Sequence, residues 1–150
     1  ASNDQRTDSQ DYTEELETFI SELSSFDRRM NTAVLDEKVL AGATRTRIAA
    51  AGKIVRLRSD CVETLREAVS QGMKTHVLSV NWSSEYIQAA LSPLLHPSPS
   101  SSHTDDNLTD DVCIHANELE FDNQGTSTGS IIRRVECAQD KEKIYKTILS

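Results

Sequence analysis

The chain has 150 residues, 37% of them hydrophobic, with 24 acidic against 16 basic side chains and a formal charge of -8. That length and composition allow one core-forming domain with room for a small appendage. The charge argues against a nucleic-acid partner, which needs clustered Lys and Arg. No apolar run approaches the roughly 18 residues of a membrane span, so no membrane partner is expected.

The first ten residues, ASNDQRTDSQ, carry one apolar side chain, and segment 1–10 is expected to be flexible. Leu16, Phe19, Ile20, Leu23, Phe26 and Met30 then recur at steps of three and four, which predicts a helix with one apolar face. Val34, Leu35, Val39 and Leu40 extend the signal to Gly42, and a second helical piece is expected over 44–51 before Gly52. Residues 11–58 therefore read as a small all-helical unit. Its basic run, Arg45, Arg47, Lys53, Arg56 and Arg58, reads as a solvated face.

The grammar changes near Asp60. Asp60 with Glu63 resembles a capping box, Val62, Leu65 and Val69 form an apolar stripe, and Gly72 stands where a helix should end. Met73–Val80 is β-branched enough for a buried strand. Ser83 or Ser84 can cap a helix over 85–91, which Pro93 should end. Helix, strand, helix is the pattern of a parallel sheet covered on both faces.

Segment 92–111 holds all three prolines and reads as a loop insertion. Val112–His115 suggests a second strand, parallel to the first. Glu118–Phe121 and Gly129–Val135 suggest a hairpin around a Gly-containing turn, and Asp140 can cap a last helix with Ile144, Ile148 and Leu149 inward. Cys61, Cys113 and Cys137 have neither CxxC nor zinc spacing and read as free thiols in a reducing compartment. That points to the cytoplasm, with mitochondrion and plastid as the other candidates. The single tryptophan, Trp82, falls in the cluster Ser79, Asn81, Trp82, Ser83, Ser84, where a strand gives way to a helix. In open α/β sheets that edge binds ligands.

Three stretches carry a family likeness. HANELEFDNQGTSTG (115–129), DKEKIYKTIL (140–149) and HVLS (76–79) resemble, in order and spacing, segments of haloacid-dehalogenase-type phosphatases of the phosphoserine phosphatase branch. LSVNWSSEYIQAAL, IHANELEF and the STG-x-I-x-R-x-VE-x-x-x-DK pattern are closer still to the phosphatase part of plant and fungal proteins that join it to a TenA-type domain. LSSFDRRMNTAVLDEKVLAG resembles the helical cap of those proteins. The resemblance implies an α/β fold, with a partial Rossmann-like parallel sheet and a β-hairpin over 59–150 and a helical cap over 11–58. It also implies magnesium-dependent hydrolysis of a small phosphate ester, thiamine monophosphate, and a fused TenA-like domain as partner in the longer protein.

On that resemblance Ser79 would donate its hydroxyl to a phosphate oxygen, the amides of Val80 and Asn81 would add donors, and Lys141 would supply positive charge. Trp82 would stack on a cationic heterocycle. The plainer alternatives are a helix-approach serine, a solvated first-turn lysine and ordinary packing of the tryptophan at the cap. Asn117 reads as fixing the hairpin, and His76 and His115 as structural. The family's Asp-x-Asp-x-Thr nucleophile motif and its late Gly-Asp with a further Asp do not occur in the chain. It therefore reads as the middle of a longer phosphatase, inactive by itself and without the magnesium ligands. The alternative is a non-catalytic α/β binding module that has lost the metal site.

Overall fold

The computed structural model describes residues 4–95 and 112–150. Its elements are α1 (Asp4–Asp36), α2 (Arg45–Lys53), α3 (Ser59–Ser70), β1 (Thr75–Leu78), α4 (Ser84–Leu95), β2 (Val112–His115), β3 (Glu118–Phe121), β4 (Ser127–Ile132) and α5 (Ala138–Leu149). The protein is mixed α/β: a helical N-terminal part, a two-stranded parallel sheet and an antiparallel hairpin.

α1 begins at Asp4, inside the stretch expected to be flexible. Its apolar face is not its buried face. Leu16, Phe19, Leu23, Phe26 and Met30 are all exposed, whereas Ser24 and Asn31 are buried. The helix lies against α5 and β4, and polar groups make that contact, because Arg28 and Asn31 find charged and carbonyl partners there.

Local chemistry accounts for the helix ends. Thr44 caps α2 by accepting from the Arg47 amide. The capping box expected at Asp60 is not formed: the capping position is Arg58, and its guanidinium holds the Asp60 carboxylate at 2.8 Å. α3 ends as expected at Gly72, with φ of 67°. The Met73 amide reaches Ala68 O and the Gly72 amide reaches Val69 O, a paired closure that glycine permits at positive φ.

Ser83 caps α4 by accepting from the Tyr86 amide. Pro93 does not end that helix, contrary to expectation; the helix continues through it to Leu95. Proline cannot donate to the Ala89 carbonyl, and the Ser92 hydroxyl does so instead, at 2.9 Å. Ser92–Leu95, expected as the start of the loop insertion over 92–111, are thus helical, and the rest of that segment lies outside the described residues.

β1 and β2 pair in parallel, from Thr75 with Val112 to Leu78 with His115. Val77, Val112 and Ile114 share one face and pack on Leu91 with Leu57, Val62, Leu65 and Ile87. His76, Leu78, Cys113 and His115 line the other face. Every position of both strands is only half-buried, so the sheet is less fully covered than a parallel sheet usually is.

The hairpin closes through Asp122, whose carboxylate accepts from the amides of Gln124 and Thr126. Segment 42–45 is joined to it by Gly42 N to Ser127 O, Ser127 N to Ala43 O and Arg45 N to Gly125 O. Arg45 also pairs with Glu85 and lies 3.9 Å over the Phe121 ring. α2 packs on α4 where Gly52 leaves room: a Cβ there would sit 2.8 Å from Ala89 Cβ and collide with the Tyr86 carbonyl. Among the described residues no helix is long and apolar enough to cross a membrane.

Candidate functional site

The carboxyl end of β1 turns sharply, and its own polar groups hold the turn. The Ser79 amide donates to His115 O at 2.9 Å, which extends the parallel ladder by one bond. The Ser79 hydroxyl oxygen accepts from the Asn81 amide at 3.1 Å, and Asn81 Oδ1 accepts from the Ser83 amide at 2.9 Å. Such side-chain turns favour Ser and Asn here for a local reason. The Asn81 amide is therefore already engaged, while the Ser79 O–H remains able to donate.

Asn117 fastens this loop. It is 1% exposed. Its Nδ2 donates to Val80 O at 3.2 Å and to Val135 O at 2.9 Å, and its Oδ1 accepts from the amides of Arg134 and Val135 at 2.7 and 2.9 Å. Its backbone amide donates to Asn81 O, and its carbonyl accepts from Ser84 N. One amide side chain thus satisfies both its donors and both its acceptor sites. It also ties the loop after β1 to the turn before α5. Ser79 is one residue from the first anchor, and Lys141 lies in the opening turns of α5, where its amide donates to Cys137 O.

Trp82 is half-buried and donates its indole N–H to Asn31 Oδ1 at 2.9 Å. Asn31 Nδ2 in turn reaches Glu136 O at 3.4 Å. The indole N–H of this tryptophan thus ties the loop after β1 to the long helix. Beside it, Arg28 Nη2 lies 3.0 Å from Asp140 Oδ1 and 3.1 Å from Cys137 Sγ, and Nη1 lies 3.5 Å from Glu136. Asp140 Oδ2 accepts from the Glu136 amide at 3.1 Å, closing the start of α5 from behind.

Burial pushes the Asp140 carboxyl up, but the Glu136 amide, the Arg28 guanidinium and the Cys137 thiol together hold it below its ordinary value. Hydrogen bonding to Asp140 correspondingly raises Arg28. Sequence reasoning missed Arg28 and Asn31, because both sit on the face of α1 that the apolar spacing had marked as outer. The polar residues at 24, 28 and 31, at steps of four and three, were the available signal.

His76 and His115 stack diagonally across the two strands, with Nδ1 of one 3.0 Å from Nε2 of the other and their rings 20° from parallel. Burial, and then the neighbouring His76, lower His115. Among the described residues no group of three or more His, Cys, Asp and Glu is placed to hold a metal ion. These described residues do not by themselves fit magnesium. The three cysteines are free thiols: Cys61 is exposed, Cys113 half-buried and Cys137 buried.

The fold and this junction define a mixed α/β protein whose helical part is tied to the carboxyl end of a parallel strand pair. No family model matches the chain, and no solved structure matches it. It is 31% identical over 150 residues to the mitochondrial bifunctional TH2 protein of Arabidopsis thaliana, an alignment that covers 98% of this chain and 22% of that protein. It is 40% identical over 88 residues to a CTO1 family protein of Schizosaccharomyces pombe, covering 55% of this chain and 28% of that one. The chain spans less than a third of the length of the curated relatives it matches.

Proposed function

We propose that the chain is part of a haloacid-dehalogenase-type phosphatase that hydrolyses a small phosphate ester, thiamine monophosphate to thiamine, within a longer protein. The observation that carries the reading is the loop after β1. Ser79 stands at the carboxyl end of a parallel strand with its O–H able to donate, and Asn117 fastens that loop to the turn leading into Lys141. The likeness to a bifunctional TH2 protein along almost the whole chain supports it, and so does the order of the phosphatase-like motifs. The bifunctional character of that relative favours a second, TenA-like domain beside the phosphatase part, and its mitochondrial assignment favours the same organelle.

In this reading Ser79 donates to a phosphate oxygen and the Val80 amide adds a second donor. Lys141 neutralises charge that builds on the phosphoryl group in the transition state, where such compensation lowers the barrier most. Trp82, fixed by Asn31, presents its ring to the cationic thiazolium, a contact worth about 0.5–2 kcal/mol. No residue of this chain is assigned the attack on phosphorus.

Kinetics of the longer protein test the reading. Lys141→Ala and Ser79→Ala are each expected to lower kcat by roughly 100-fold or more, while Lys143→Ala, an exposed partner of Asp140, stays within about twofold. Equal effects of Lys141→Ala and Lys143→Ala would refute the assignment, and failure to release phosphate from thiamine monophosphate would refute the substrate.

A further inference from the structure

The exposed face of α1 has an order of its own. Tyr12, Leu16, Phe19, Leu23, Phe26 and Met30 follow one another at steps of four, three, four, three and four, and all six are exposed, from 43% to 71%. Alternating steps of four and three are the a and d spacing of a coiled-coil seam, here carried on an exposed face. The seam runs about 27 Å along the helix at 1.5 Å per residue. Buried Ser24 and the polar contacts of Arg28 and Asn31 occupy a different side of the helix, and the six seam residues stay exposed with no partner among the described residues.

We infer that this seam is the contact between two copies of the chain, paired antiparallel through α1. In that arrangement Tyr12 meets Met30 of the second copy, Leu16 meets Phe26, and Phe19 meets Leu23, so every apolar position is filled. The flanking residues then decide the direction. Glu15 faces Arg29 of the other helix twice, once at each end, and Ile20 faces its own counterpart across the middle. A parallel pairing would set Glu22 against Asp27 and give Glu15 and Arg29 only the apolar Ile20 and Val34, so it lacks any attractive charge pair. The one unfavourable meeting in the antiparallel register is Glu22 with its own copy.

Glu15 and Arg29 are exposed, and among the described residues the Arg29 guanidinium bonds the Ser25 hydroxyl of its own helix. Reversing their charges should therefore leave the protomer folded, which far-ultraviolet circular dichroism checks. Sedimentation equilibrium is expected to show a dimer. Glu15→Arg and Arg29→Glu should each weaken it by roughly tenfold, since two attractions become two repulsions. The double variant should restore it, and Glu22→Gln should tighten it. Phe19→Glu should leave only monomer. A wild-type chain that stays monomeric at high micromolar concentration, as it would if another helix of the same polypeptide covers the seam, overturns the inference. So does a dimer that is insensitive to the charge reversals, or one that the double variant fails to restore.

Discussion

Asn117 shows how much one side chain can hold together in a domain this thinly covered. Its amide closes four hydrogen bonds at a site with almost no water access, and an unpaired buried donor or acceptor costs about 1–3 kcal/mol. Asn117→Ala is expected to lower stability by about 3 kcal/mol or more in urea unfolding, against about 1 kcal/mol for Trp82→Phe, which breaks one bond to Asn31. Similar losses would show that the loop is held by packing and not by this amide. The histidine pair makes a pH prediction. His115 is lowered by burial and then by His76, so it takes up a proton more readily unfolded than folded. Its contribution is complete above about pH 6.5 and is lost as pH falls through the depressed value. The urea midpoint should decline as pH falls below about 6.5, and His115→Gln should remove part of that decline; an unchanged slope in the variant would exclude His115 as its source.

Helices and strands meet here through small residues and charge as much as through apolar area. α2 reaches α4 only because Gly52 carries no side chain. Gly52→Ala should cost about 1–3 kcal/mol by forcing the two helices apart, in spite of alanine's better helix propensity. A thermal scan showing a gain would mean that the helices separate freely. α1 meets α5 through Arg28 and Asp140. The Asp140 carboxyl is held low in the fold, so its contribution is present above about pH 3.9 and is lost as pH falls further. Asp140→Asn is expected to destabilise the protein by about 1–2 kcal/mol at pH 7, with the deficit shrinking as pH falls below about 3.9. A deficit that stays constant over that fall would point to a steric cause instead.

Across the whole molecule, two incomplete surfaces coexist. One is the half-buried parallel pair β1 and β2, and the other is the apolar seam of α1. The proposed function places this chain beside further polypeptide that supplies the attack on phosphorus. The 150 residues by themselves are accordingly expected to release no phosphate from thiamine monophosphate, with or without magnesium. The longer protein is expected to do so, and a malachite-green assay of both decides the matter. Turnover by the 150-residue chain would mean that it contains a nucleophile among its own carboxylates.

The sequence alone settled what short-range chemistry settles. Gly72 needs a positive φ, Ser83 offers its hydroxyl to a helix start, and the β-branched run before Ser79 favours a strand; all three depend on neighbours within a few residues. The parallel direction of Met73–Val80 with Val112–His115 followed from the helix between them, while the structure shortened the first strand to Thr75–Leu78 and set the register. Tertiary structure decided the remainder. Six apolar side chains at helical spacing marked a face of α1 but not what that face would meet. The inward side went to Ser24, Arg28 and Asn31, and the partners of the arginine and the asparagine, Asp140, Glu136 and Trp82, lie more than fifty residues away in the chain. Pro93 was read as a stop because periodicity does not weigh a hydroxyl one residue earlier that can serve the abandoned carbonyl. Hydrophobic spacing reports which surface avoids water, and only the assembled molecule shows where a charge or an amide finds the partner that makes its burial affordable.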